Sequence, residues 1–60
     1  MTVWTTDGKY IQVGQFASGG WYARTPNWLP FDHKYLVKAD TKAEVLEFLA
    51  SIFDIDTISD

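Results

Sequence analysis

The sequence predicts an α+β domain, in which a three- to four-stranded antiparallel sheet in β-β-β-α order packs one C-terminal helix on one face. Glycine-containing turn signals separate short segments that are rich in β-branched and aromatic residues. Apolar residues then recur at helical spacing after a capping sequence. At 60 residues, the chain is expected to form one small domain over residues 1–60.

The first two strands are predicted over residues 2–6 and 9–16. Asp7-Gly8 between them favours a two-residue type I′ turn, because both central residues of that turn need positive φ. Such a turn would pair Thr6 with Lys9, Thr5 with Tyr10 and Trp4 with Ile11. A second turn at residues 17–20 leads to a strand over residues 21–25, pairing Phe16 with Trp21 and Gln15 with Tyr22.

A proline-bounded loop and a fourth strand follow. Pro26 ends the third strand because it cannot donate to a ladder, and the loop beyond it contains Trp28, Leu29 and Phe31. The fourth strand is predicted over residues 34–39. Its lysines would face water, and Tyr35, Val37 and Ala39 would share the opposite face.

The helix is predicted over residues 41–53. Thr41 and Glu44 have the spacing of a capping box, and Asp40 is the competing N-cap. Residues 54–60 are expected to be a short acidic tail or a final strand.

The second face of the sheet carries the main functional inference. In the predicted register, one face carries Trp4, Ile11, Val13 and Tyr22, and the other carries Tyr10, Phe16, Trp21 and Ala23. One helix of about three turns covers only one face. Trp28, Leu29 and Phe31 either fold back as a lid over the second face, or that face contacts a partner or a second copy of the chain.

Charge is distributed unevenly, with a formal net charge of −3. Residues 1–42 contain five basic and three acidic residues, a net charge of +2, whereas residues 43–60 contain five acidic residues and no basic one. Asp54 and Asp56 follow the helix, where carboxylates are mildly unfavourable, so helix stability does not explain them. They form either an acidic patch that attracts a basic partner or a solvated tail that maintains solubility.

Several classes of chemistry are not supported. Without cysteine there is no disulfide, thiol nucleophile or cysteine-ligated zinc, and Asp32-His33 offers a metal at most two adjacent ligands. The glycines form no phosphate-binding motif, and no serine lies in a nucleophile setting. We therefore expect no enzyme activity, cofactor or metal. No apolar run approaches a membrane span and no signal peptide is evident, so the expected location is cytoplasmic, with no membrane association.

Nucleic-acid binding is the alternative function. Three-stranded sheets backed by one helix occur in the arm-binding domains of phage-type integrases, and residues 40–44 resemble the helix start of those domains. Arg24, Lys34 and Lys38, with neighbouring aromatic residues, would form the contact surface. The acidic balance argues against this alternative, because phosphate binding requires basic charge.

Residues 19–30, with the sequence GGWYARTPNWLP, are similar to the second strand and proline loop of HicB-like antitoxins. Residues 40–49, DTKAEVLEFL, resemble the helix start of that family, although Ala39 replaces its glycine. The resemblance covers residues 9–53 and includes the β-β-β-α order. It implies an acidic protein that neutralises a small basic RNase by protein–protein contact.

The leading hypothesis is therefore a small acidic binding module that regulates or inhibits a protein partner by covering part of its surface. An antitoxin-like protein or a phage-encoded inhibitor of a host or defence factor would act in this way. The partner is expected to be a protein with a basic surface, and a homodimer through the uncovered face is the other possibility. The candidate contact residues are Trp21, Tyr22, Trp28, Phe31, Asp54 and Asp56.

Overall fold

Five strands and one helix make up the fold in the computed structural model, which describes residues 1–26 and 34–59. The expected α+β class, with the helix packed on the sheet, is confirmed, but the described residues form five strands rather than three or four. The elements are β1 (Thr2–Thr5), β2 (Tyr10–Gln15), β3 (Trp21–Thr25), β4 (Lys34–Ala39), α1 (Lys42–Ile52) and β5 (Ile55–Ser59).

The C-terminal segment forms a strand rather than a tail. The strand order is β4-β3-β2-β1-β5, and every neighbouring pair is antiparallel. α1 packs across β4, β3 and β2, and it carries the chain from one edge of the sheet to the other. The Thr6 amide donates to the Asp54 carbonyl at 2.9 Å, which anchors the start of β5 beside β1.

The first hairpin has a three-residue loop. Trp4 pairs with Tyr10 and Val3 with Ile11, so the predicted pairing of Trp4 with Ile11 is wrong by one residue. The Thr5 amide donates to the Lys9 carbonyl at 2.9 Å, and the Gly8 amide donates to the Thr5 carbonyl at 3.1 Å. Gly8, at φ +86°, takes the left-handed position that closes a loop of this length.

The second hairpin repeats this arrangement. The Phe16 amide donates to the Gly20 carbonyl at 2.7 Å, and the Gly19 amide donates to the Phe16 carbonyl at 2.9 Å. Gly19 has φ +108°. Gln15 therefore pairs with Trp21 and Gly14 with Tyr22, and the predicted pairing of Phe16 with Trp21 is wrong.

Because successive strand residues point to opposite sides of a sheet, each one-residue shift reverses the faces of a strand relative to β2. The side chains of β1 and of β3 therefore lie on the sides opposite to those predicted. The observed core combines residues that the predicted register places on two different faces. Helix residues Val45 and Leu49 complete it, and side chains of this size each stabilise the fold by about 1.5–3 kcal/mol when fully buried. The buried apolar residues are Val3, Ile11, Val13, Ala23, Val45 and Leu49.

An irregularity in β4 separates Tyr35 from Val37. Val37 pairs with Ala23 and Tyr35 with Arg24, so Leu36 is an extra residue in β4. Val37 and Ala39 share one face, as the alternation predicts, and this is the helix side of the sheet. Tyr35 lies on the other side, so its predicted placement with Val37 and Ala39 is wrong.

Thr41, rather than Asp40, is the N-cap of α1. The Glu44 amide donates to Thr41 Oγ1 at 3.2 Å, and the Thr41 hydroxyl donates to Glu44 Oε1 at 3.0 Å. The helix ends at Ile52, where the extended backbone of Phe53 redirects the chain into β5.

We predict that Gly19→Ala destabilises the protein by about 1–2 kcal/mol, because an alanine at φ +108° brings its Cβ close to the following carbonyl oxygen. Gly20→Ala is the matched control: a Cβ there meets Ala39 O at 3.5 Å and Phe16 Cδ2 at 3.6 Å, both ordinary contacts. Urea unfolding of the two variants measures the difference. Equal unfolding free energies would contradict the proposed role of Gly19 in setting the loop.

The Thr5 hydroxyl donates to the Asp7 carboxylate in the β1–β2 turn, and Lys9 Nζ lies 3.9 Å from Asp7 Oδ2. Chiefly because of the Thr5 hydrogen bond, the pKa of Asp7 lies below its ordinary value of 3.8. A lowered native pKa means that this contribution to stability is present above the ordinary pKa and is lost as the pH falls through the native pKa.

We predict that Thr5→Val raises the pKa of Asp7 toward its ordinary value, because valine keeps the shape of threonine but cannot donate a hydrogen bond. Thr6→Val, in the same turn, is the control and should leave the pKa of Asp7 unchanged. A titration followed through the Asp7 carboxyl carbon by NMR measures both. An unchanged Asp7 pKa in Thr5→Val would show that the Thr5 hydroxyl does not cause the lowered pKa.

Candidate interaction surface on the open face of the sheet

The side of the sheet opposite α1, here called the open face, carries a concentration of aromatic side chains. Strand alternation places them there, together with two cationic residues and several small or amide residues. Trp4 is 39% exposed and Tyr35 is 45% exposed, so part of this aromatic surface is in contact with water. The open face carries Thr2, Trp4, Tyr10, Gln12, Gly14, Phe16, Tyr22, Arg24, Tyr35 and Lys38.

Three of the rings pack against one another where β2, β3 and β4 meet. The Phe16 and Tyr22 centroids are 4.8 Å apart, and those of Tyr22 and Tyr35 are 5.4 Å apart in an edge-to-face arrangement. Phe16 and Tyr35 are 5.9 Å apart. Such pairs contribute about 0.5–1.5 kcal/mol beyond the area that they bury. The three rings therefore support each other's orientation while they remain at the surface.

The position of Tyr22 depends on Gly14, its cross-strand neighbour. A Cβ on residue 14 would lie 2.6 Å from Tyr22 Cζ, a separation that real Cβ atoms essentially never show. The absence of a side chain on β2 at this point lets the tyrosine ring lie across the strand. Gly14 thus determines how closely the ring approaches the sheet.

Cationic and aromatic residues alternate on β3 and β4. Tyr22 pairs with Lys38, and Arg24 pairs with Tyr35. Lys38 Nζ is 5.0 Å from the Tyr35 ring centroid and 5.9 Å from that of Phe16. An exposed cation–π contact of this kind contributes about 0.5–1 kcal/mol. We call Phe16, Tyr22, Arg24, Tyr35 and Lys38 the cation–aromatic patch.

A second aromatic group lies on β1 and β2. Trp4 and Tyr10 are direct cross-strand partners with centroids 5.1 Å apart. Gln12 separates this pair from the patch along β2. Its amide nitrogen donates to the Met1 carbonyl at 3.2 Å, and its Oε1 accepts from the Thr2 hydroxyl at 3.4 Å.

The structure distributes the sequence-predicted contact residues over different regions. Tyr22 lies on the open face. Trp21 lies on the helix side, where it is half-buried against the core and Lys42 Nζ is 5.8 Å from its ring centroid. Asp54 and Asp56 are exposed at the β5 edge, far from β4. Trp28 and Phe31, and with them the predicted lid, lie outside the described residues.

Two of the three residues predicted for nucleic-acid binding come together. Arg24 and Lys38 both belong to the patch, and the backbone of Lys34 pairs with Thr25. Trp4 and Tyr35 are exposed on the open face but are not among the contact residues predicted from the sequence. If the prediction had assumed a three-residue loop at Asp7-Gly8 and an extra residue in β4, strand alternation would have placed both residues on the open face.

No protein-family model matches the chain, and no significant match is found among curated proteins or solved structures. Within residues 1–26 and 34–59, no helix is both long and apolar enough to span a membrane. The same residues contain no cluster of three or more potential metal ligands.

We predict that Gly14→Ala destabilises the protein by about 1–3 kcal/mol, because the new methyl group displaces the Tyr22 ring. In a Tyr22→Ala background the same change should stabilise by about 0.5–1 kcal/mol, because alanine costs less backbone entropy than glycine in a strand. A double-mutant cycle measured by urea unfolding tests this coupling. An equal cost in both backgrounds would show that Tyr22 is not the cause.

Proposed function

We propose that this protein is a binding module that regulates or inhibits a protein partner by covering part of the partner's surface. The observation that carries the proposal is the concentration of aromatic side chains on the open face. Tryptophan and tyrosine are the residues that most often supply binding energy in protein interfaces. Exposed groups of such residues are typical of partner surfaces.

The ring geometry favours a protein over stacked bases. Phe16 and Tyr22 are tilted by 48°, and Tyr22 and Tyr35 by 85°. Successive bases stack on flat ring faces, whereas rings set at these angles present ring edges as well as ring faces. Side chains of a protein partner fit such a surface better than a run of bases does.

Nucleic-acid binding is the second candidate, because Arg24 and Lys38 share the open face with the rings. This arrangement offers both phosphate contacts and base stacking. The number of cations is small, however, and phosphate neutralisation gives most of the affinity in nucleic-acid complexes. We therefore rank it below protein binding.

Inhibition by occlusion requires no catalytic step, cofactor or metal, and the proposal includes none. An antitoxin-like protein or a phage-encoded inhibitor of a host or defence factor is the proposed biological setting. We propose the cytoplasm as the compartment, since the sequence contains no cysteine for the disulfides that stabilise many small secreted domains.

We predict that Tyr35→Ala abolishes capture of the partner, because it removes an exposed ring from the centre of the patch. Immobilised wild-type and variant proteins are incubated with extract of the source cell, and retained proteins are quantified by mass spectrometry. Phe48→Ala is the matched control, since Phe48 is an aromatic residue on α1 that is 38% exposed.

A specific partner is retained by the wild type and by Phe48→Ala but lost from Tyr35→Ala. Circular dichroism confirms that both variants are folded. Equal retention by all three proteins would place the contact elsewhere, and retention of nucleic acid alone would favour the second candidate.

A further inference from the structure

The cation–aromatic patch has a definite charge. Strands β1 to β4 contain Arg24, Lys34 and Lys38 and no acidic residue. The acidic residues of the described chain lie instead in the β1–β2 turn, around and within α1, and beside or within β5. The overall charge of −3 therefore does not describe the residues of strands β1 to β4, whose charged side chains are all positive.

We infer that the patch binds an acidic segment of the partner, whose carboxylates contact Lys38 while its apolar side chains pack on the rings. This inference rests on the proposed function and specifies the chemistry of the partner. The partner segment would thus be acidic, whereas Asp54 and Asp56 predict a basic partner surface. Those two residues lie at the β5 edge rather than on the patch.

The positions of the charged groups support a protein segment as the ligand. Lys38 is exposed, and Arg24 lies in the next cross-strand row on the neighbouring strand. A tyrosine lies directly opposite each cation. An extended or helical segment that presents acidic and apolar side chains on one side could place the acidic ones near the cations and the apolar ones on the tyrosine rings.

A second copy of the same chain fits less well. Packing two copies through their patches would bring the exposed Lys38 of each copy close to the cations of the other. Strands β1 to β4 contain no carboxylate to compensate those charges. Like charges brought together at an interface oppose association.

The test uses three probes with the intact protein: a glutamate-rich peptide containing phenylalanine, the same peptide with lysine in place of glutamate, and oligothymidylate. Binding is followed at low salt through the backbone amide resonances of Tyr22, Tyr35 and Lys38. The glutamate peptide should shift these resonances and bind at least about tenfold more tightly than the lysine peptide. Its affinity should fall between about 50 and 200 mM salt, because screening weakens exposed charge pairs.

The variants identify the residues responsible. Lys38→Gln should weaken binding of the glutamate peptide by about threefold to fivefold, as expected for an exposed charge pair. Lys9→Gln removes the same charge from the β1–β2 turn and should leave the affinity unchanged. An equal loss in both variants would show that only net charge matters, and would overturn the inference.

Other outcomes also overturn it. Equal binding of the two peptides would exclude selection for an acidic segment, and tighter binding of oligothymidylate would assign the patch to nucleic acid. A dimer in sedimentation that is lost in Tyr35→Ala and strengthened in Lys38→Gln would assign it to a second copy. If Tyr35→Ala abolishes capture of a protein that cross-linking shows to contact the patch through a basic segment, the proposed function stands and this inference fails.

Discussion

The position of one glycine in each hairpin loop controls the rest of the structure. Gly8 and Gly19 both adopt positive φ at the third position of a three-residue loop. Each loop fixes the register of the two strands that it joins, and the register decides which side chains face the helix. A shift of one residue in either hairpin would replace buried aliphatic residues with large aromatic ones. The hydrophobic core and the aromatic open face are therefore two results of the same loop geometry.

The aromatic open face is possible because the helix is small and covers only one side of the sheet. α1 contributes two buried residues and packs across β4, β3 and β2. Within residues 1–26 and 34–59, the side chains on the opposite side of the sheet are stabilised by contacts with one another. Phe16, Tyr22 and Tyr35 pack together, and Tyr22 also occupies the space above Gly14. The residues proposed for binding thus hold an arrangement that exists before any partner arrives, which lowers the entropy cost of association.

The elements could be predicted from the sequence more readily than the faces. Segments rich in β-branched residues and the capping pair Thr41 and Glu44 locate the strands and the helix through local preferences. The faces depend on register, and Asp7-Gly8 is compatible with loops of two or three residues. The extra residue Leu36 in β4 has no comparable local signal, because the bulge arises from pairing with β3. The sequence predicts Tyr22 as a contact residue, whereas the position of Tyr35 on the open face depends on the pairing of β4 with β3.

The place of β1 between β2 and β5 has a consequence for folding during synthesis. Thr2 pairs with Ser59, so one side of β1 is completed by residues that leave the ribosome after β2, β3, β4 and α1. Until then, β1 presents an unpaired edge beside an apolar core, and such edges promote association between chains. The last strand therefore closes the nascent sheet against pairing with a neighbouring copy. Asp56 within this strand and Asp54 just before it add charge at the point where that protection is needed.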